Sequence, residues 1–352
     1  MPHLRERGLR GRSNRRVFAP WSRRRRHELN SSEQRCPADG EPLFENPFAV
    51  DDLAIFDDDA LRELLPAALR QFDARTLAHA MANADPALVE RARGALPPND
   101  QERFSAALGE KATTDDALAA RRRVLDHFFW ELTYWKTPDL YERLTEGERL
   151  HPGIFKRLAP FIRGNLALDA GAGSGRATFA CLRAGARHIY AIEPSPGLRR
   201  LLTRKLAAPA AAQRISVLDG RFERIPLPDH AVDVTLSCAA FTSAPGQGGD
   251  EGLAELRRVT KPGGLVALIW PRPEDAGWLR ERGFSWVELP VAREMGVRYR
   301  SLATAERVAR RFYAHNRDLW RYLLRWRRPD APFTVVGFNP PRDFCWLRVP
   351  RD

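Results

Sequence analysis

Apolar residues recur at helical spacing along the first third of the chain and in short buried runs along the second. Leu61, Leu64, Leu65 and Leu69 lie on one helical face. Asp73 opens a second segment with Leu77, Ala80 and Met81 turned inward. Asp85-Pro86 pairs a helix cap with proline at the first helical position. Pro97-Pro98 breaks that helix, and Asn99 or Asp100 caps the next, which buries Phe104, Ala107 and Leu108. Thr113-x-x-Asp116 resembles a capping box ahead of a longer helix whose stripe is Leu118, Leu125, Phe128 and Leu132. The pattern predicts a small all-α domain over residues 47–132. Residues 133–165 lead out of it, with helices starting at Pro138 and Pro152. Tyr134, Trp135 and Tyr141 are dense there and either line a pocket or pack two domains together.

From residue 166 the pattern becomes strand, turn and helix, repeated. Leu166 to Ala170 is a buried strand, followed by the glycine turn Gly171-Ala-Gly173-Ser-Gly175 and a helix from Ala177 to Ala184. Ile189 to Ile192, Ile215 to Leu218, Val232 to Ser237 and Leu265 to Trp270 read as further strands. Helices are predicted over Pro196 to Leu206 and Gly252 to Thr260, the latter closed by Lys261-Pro-Gly-Gly264. Such alternation means a parallel sheet covered on both faces, with ligands at the carboxyl ends of its strands. The glycine turn is not a dinucleotide fingerprint, because the place of the third glycine is taken by Arg176. An acid, Glu193, ends the second strand, where a carboxylate can accept hydrogen bonds from both ribose hydroxyls.

Composition narrows the field. The 352 residues carry a net charge of +12, but residues 1–35 hold 11 Arg against 3 Glu, and residues 291–352 hold 14 Arg against 6 acids. The middle of the chain is therefore mildly acidic. Residues 1–46 show no apolar periodicity and read as a basic disordered tail. No run approaches the ~20 apolar residues of a membrane span, and no apolar stretch of a signal peptide follows the N-terminal arginines. Cys36, Cys181, Cys238 and Cys345 form no C-x-x-C pair, and the histidines lack metal-ligand spacing, so no metal is expected and a reducing, cytoplasmic setting is.

Two family resemblances follow from particular segments. "LALDAGAGSG", "HIYAIEPSPGLRRLL", "ISVLDGRFERIPLPDHAVDVTLSCAAFT" and "ELRRVTKPGGLVALIW" resemble, in order and spacing, the class I S-adenosylmethionine-dependent methyltransferases. The resemblance implies a Rossmann-like seven-stranded sheet of order 3-2-1-4-5-7-6 over residues 133–352, with S-adenosyl-L-methionine as cofactor. It implies that Asp169, Gly171, Gly173 and Gly175 hold the amino-acid end of the cofactor. Glu193 would bind the ribose beside Pro194 and Ser195. Asp219, Gly220 and Phe222 would meet the adenine, and Ser237 and Cys238 would lie under the methionine arm. A methyl group on a sulfonium is already activated, so no residue is named as catalytic; His151 and Ser237 are candidates by position. The other reading of Glu193 is a cap for the helix at Pro196, which its strand-end position disfavours; the other reading of Phe222 is core, and Asp233 reads as a structural start to the fourth strand.

The segment "DDLAIFDDDALRELLPAALRQFDARTLAHAMANADPALVERARGAL", with "TTDDALAARRRVL" after it, resembles the C-terminal domain of the flagellar motor switch protein FliG. That resemblance implies a protein-interaction fold for residues 47–132 and a protein partner. Its acidic opening, Asp51, Asp52, Asp57, Asp58 and Asp59, stands opposite in sign to an Arg-rich stretch at 304–328, and attraction between the two is an expectation.

Trp286 to Val291 and Phe344 to Val349 fit the closing antiparallel strands, separated by an insertion at about 292–342. It contains a helical stretch from Thr304 to Arg327 rich in Arg and aromatics (Phe312, Tyr313, Trp320, Tyr322, Trp326), which either caps the substrate site, forms an anion-binding patch, or is an amphipathic helix with a solvated Arg face; the stripe Phe312, Leu319, Leu323 and Trp326 by itself fits the last. Asn339-Pro-Pro-Arg342 lies far from strand four and reads as a turn. The favoured function is methyl transfer to a small molecule or protein. Transfer to nucleic acid using the basic ends, or cofactor binding without turnover, are the alternatives.

Overall fold

In the computed structural model, residues 46–206, 212–314 and 316–351 are described. Apart from Asn46, the basic tail expected over 1–46 lies outside them. The sheet is built from β1 (Leu166–Ala170), β2 (His188–Ile192), β3 (Ile215–Leu218), β4 (Val232–Cys238), β5 (Thr260–Ile269), β6 (Ser285–Glu288) and β9 (Asp343–Arg348). A further pair, β7 (Gly296–Arg298) and β8 (Asp330–Pro332), lies in the insertion. The order of the large sheet is β3-β2-β1-β4-β5-β9-β6. Only the pairs involving β9 are antiparallel. This is the expected Rossmann-like methyltransferase sheet, with β9 as its seventh strand in chain order.

Burial on both faces explains why β1 and β2 are mostly apolar, while β4 carries Asp233, Thr235 and Ser237 at alternate positions. On one face Ala167, Ile189 and Leu236 pack against Ile154 and Leu158 of α8 (Pro152–Ile162) and Cys181 of α9 (Arg176–Ala184). On the other, Leu168, Ile192 and Val266 meet Leu253 and Leu256 of α11 (Gly249–Val259) and Leu279 of α12 (Ala276–Glu281). Asp233 has the structural role expected: its two carboxylate oxygens accept from the Leu166 amide at 2.9 Å and from Lys261 at 2.6 Å. The Lys261-Pro-Gly-Gly264 segment is not a turn before β5 but part of it, at a register irregularity against β4.

The N-terminal part holds α1 (Asp58–Ala68), α2 (Ala74–Met81), α3 (Pro86–Gly94), α4 (Pro98–Leu108) and α5 (Thr114–His127). Asp57, Asp73, Asp85 and Thr113 cap α1, α2, α3 and α5 through their side chains. α4 starts earlier than expected, at Pro98, so Asn99 and Asp100 lie inside its first turn rather than capping it. Leu118 is 52% exposed, because α5 turns Ala120, Val124 and Leu125 inward instead. A new helix, α6 (Phe129–Lys136), runs across the boundary placed at 132/133, and α7 (Pro138–Gly147) follows it.

One hydrophobic cluster joins these helices to the insertion. Phe48, Phe129 and Leu132 share it with Val297, Phe312 and Leu319. Trp130 stacks on Phe312 with ring centroids 5.3 Å apart. The insertion holds two helices, α13 (Leu302–Phe312) and α14 (Arg317–Trp326), not one, and a short α15 (Phe333–Val336). The stripe fails at its end: Trp326 is 53% exposed. The acidic opening does not reach the insertion arginines. Asp52 pairs with Lys136, Asp58 with Arg91 and Asp59 with Arg62, while Asp51 accepts from the Asp85 amide.

The helical part also seats on the sheet domain at α10 (Pro196–Lys205). A Cβ on Gly197 would fall 2.2 Å from the Tyr134 carbonyl oxygen and 2.6 Å from that of Trp135, so only glycine admits α6 at this distance. Gly197→Ala is expected to cost about 1–3 kcal/mol of unfolding free energy by forcing the helices apart. Urea denaturation measures it, and an unchanged midpoint would show that α6 and α10 do not meet here.

Candidate functional site

The site forms where β1, β2 and β4 end together. Glu193, the residue after β2, is 6% exposed, and both its carboxylate oxygens are engaged. Oε2 accepts from the Gly173 amide at 2.8 Å and Oε1 from the Ser195 amide at 2.9 Å. Glu193 therefore does not cap α10; Ser195 does, accepting from the Leu198 amide at 3.3 Å. Burial pushes the Glu193 carboxyl up to about 7 against the pull of those two amides. The turn below it is fixed by the Ile192 carbonyl, which accepts from the Gly171 and Ala172 amides at 2.9 Å.

Gly171 and Gly173 both have positive φ, which suits glycine. At Gly171 a Cβ would meet the Phe222 ring at 2.8 Å and Ala240 at 2.9 Å. Gly173 is different: only Tyr141 would come within range, at 3.8 Å, so the backbone there is bare and accessible to a ligand. Asp169 lies beneath the turn, 1% exposed. Its Oδ2 accepts from the Thr178 hydroxyl at 2.6 Å, while Oδ1 is buried with no hydrogen-bond partner. Burial raises its carboxyl to about 6.

The other expected residues divide. Asp219 is exposed and accepts from Arg199 at 2.8 Å, and the same guanidinium nitrogen reaches the Glu193 and Pro194 carbonyls at 2.7 and 2.8 Å. Gly220 packs so closely that a Cβ would lie 2.6 Å from Pro226 and 2.8 Å from Ile192. Phe222 sits edge-on to Phe241 at 5.1 Å, against Gly171. Ser237 is 1% exposed, and strand alternation turns it to the opposite face from Cys238, so it does not reach the cleft. Cys238 is half-buried, and burial pushes its thiol up to about 12, which leaves it without thiolate character. His151 caps α8, its Nδ1 accepting from the Gly153 amide at 3.1 Å, and is not at the site.

Four side chains complete the cleft that motif spacing did not single out for it. Arg176, first residue of α9, donates to Glu148 at 2.9 Å and to the Thr145 carbonyl at 3.3 Å. Glu148 also accepts from the Tyr313 hydroxyl at 3.2 Å. The Arg176 guanidinium lies 5.7 Å from the Trp270 ring centre. The hint for Arg176 was its place as the missing third glycine. Nothing marked Glu148, 28 residues from it; Tyr313, 137 residues away, stood out only as one aromatic of the insertion. Of the aromatic group, Tyr141 sits against the glycine turn and edge-on to Tyr134 at 4.9 Å, so pocket lining and interdomain packing are both true of it.

Residues 168–268 match the family model described as a methyltransferase domain. Among proteins with similar sequence, an uncharacterized methyltransferase of Mycobacterium tuberculosis is 34% identical over 117 residues, covering 33% of this chain and 44% of that one. Protein arginine N-methyltransferase 1.1 of Arabidopsis thaliana is 29% identical over 148 residues, 41% of this chain and 36% of that one. The chain thus spans less than half the length of these relatives. Among solved structures, the YcgJ protein from Bacillus subtilis is 13% identical with a TM-score of 0.40, covering 57% of this chain and 100% of that one.

Because Glu193 binds its proton more tightly folded than unfolded, its contribution to stability falls as pH rises from the ordinary carboxylate range towards 7. Glu193→Gln removes that dependence. Urea unfolding at pH 5 and pH 7.5 is expected to show a stability drop in the parent that shrinks in the variant by on the order of 2–3 kcal/mol. Equal drops in both proteins would mean that Glu193 is not buried as described.

Proposed function

We propose that the chain is an S-adenosylmethionine-dependent methyltransferase acting on a small molecule or a protein side chain. The observation that carries the reading is the buried Glu193 carboxylate at the end of β2, bonded to the glycine turn of β1. The cofactor's groups fit what is there. The ribose hydroxyls would donate to Glu193, whose oxygens keep further lone pairs. The orphaned Oδ1 of Asp169 and the bare backbone at Gly173 suit the amino-acid end. Asp219 and Phe222 flank the adenine side.

When bound, the cofactor supplies a methyl group on a sulfonium, which needs orientation more than activation. The chain's own residues provide that orientation. Tyr141 covers the glycine turn, and Trp270, Tyr313 and Phe338 wall the side towards the insertion and exclude water. The Arg176–Glu148 pair fixes a polar edge within this aromatic wall.

Isothermal titration with S-adenosylhomocysteine tests the cofactor assignment. Binding is expected, and Glu193→Ala should weaken it by about 1–3 kcal/mol. Binding should also tighten from pH 6 to pH 8 as Glu193 ionises through about 7. No heat from folded protein would sink the assignment. Transfer of labelled methyl into a cell extract then tests turnover, and an extract left unlabelled would reduce the chain to a cofactor-binding protein.

A further inference from the structure

The structure assigns a second binding surface, for single-stranded nucleic acid, to the outer face of α14 and the two arginines that follow it. This helix turns Leu319, Trp320 and Leu323 into the core and presents Arg317, Arg321, Leu324, Arg325 and Arg328 to solvent. From residue 317 to 330 there are five arginines and two aspartates. The aspartates are taken by Arg321 at 3.3 Å and Arg328 at 3.1 Å. Among the described residues, Arg317, Arg325 and Arg327 have no acidic partner at ion-pair distance.

Apolar surface is gathered at the same place. Three large hydrophobic side chains among the described residues are strongly exposed, and two of them, Leu324 at 39% and Trp326 at 53%, lie on the last turn of α14. Arg325 stands 5.1 Å from the Trp326 ring centre and Tyr322 6.4 Å from it. An exposed indole with the Arg325 guanidinium beside its ring, on a helix that carries further arginines, combines the two things a single strand needs, a ring for a base to stack on and cations for its phosphates. A folded acidic protein would use the charge but not the open ring.

Backbone geometry points the same way. Arg327 ends α14 in the left-handed conformation, φ 46°, where glycine or asparagine would sit without strain. The chain thus has an arginine at a position that disfavours it, next in sequence to Trp326. The surface belongs to the insertion whose inner side supplies Tyr313 and Phe338 to the cleft wall, but it uses none of the residues of the cleft. It stands independently of the methyl-transfer reading.

The test uses the full chain, a fluorescein-labelled 20-nucleotide oligouridylate, its duplex with oligoadenylate, and vesicles containing phosphatidylserine. The single strand is expected to bind, and Trp326→Ala to weaken it about tenfold at fixed salt. Arg317→Gln with Arg327→Gln should lower the slope of log affinity against log salt by between one and two. All three residues are exposed, so thermal midpoints should not move, and this is checked alongside. The proposal is overturned if the strand does not bind. It is equally overturned if binding is the same in the variants, which would place it on the N-terminal arginines. Duplex binding as tight as the strand, or capture by the vesicles instead of the strand, would also overturn it.

Discussion

The buried carboxylate of Glu193 is the point from which the rest of the site is laid out. It ties the turn after β1 to the turn after β2, through one oxygen each. A carboxylate 94% removed from solvent is costly unless bonded, and its elevated proton affinity shows that two amides do not fully offset that cost. The remainder is available to a ligand that donates hydrogen bonds to the ionised form. A sheet end that is slightly unfavourable when empty is one that gains by binding.

Above that point the fold adds a wall that the sheet does not contain. Glu148 is its hub: it joins Arg176 of the glycine-turn helix to Tyr313 of the insertion, and it leaves the helical part through α7. Removing one member of a buried pair of this kind generally costs about 3–5 kcal/mol, because the other charge is then left alone. The helical part and the insertion therefore act on the cleft as one body. Their common hydrophobic cluster and the Trp130–Phe312 stack say the same in apolar terms.

The sheet was legible in the sequence because each of its elements is local: a buried run, a glycine turn, a capped helix. The placing of Asp169, Gly173 and Glu193 together was legible for the same reason, as each lies at or just after a strand end. Ser237 misled because a strand end shows which residues are near a cleft but not which face each takes; its neighbour Cys238 holds the open one. Leu118 and Trp326 misled in the same way. Helical spacing defines a stripe, and the end of a stripe faces the core only if something covers it. The contact joining Glu148, Arg176 and Tyr313 could not be read, since it is created by packing across three segments.

Arg176 shows how such packing changes what a motif means. A glycine there would leave the N-terminus of α9 bare, as suits a pyrophosphate on the helix dipole. An arginine at that end opposes the dipole and would be unfavourable alone. Glu148 neutralises it, the Thr145 carbonyl takes a second hydrogen bond, and the Trp270 ring lies alongside. Burial works against the cation, yet the Glu148 carboxylate holds it protonated. The space above the helix is thus filled by a neutral pair instead of an anion. That leaves Glu193 and the open backbone at Gly173 as the polar groups presented at this end of the sheet.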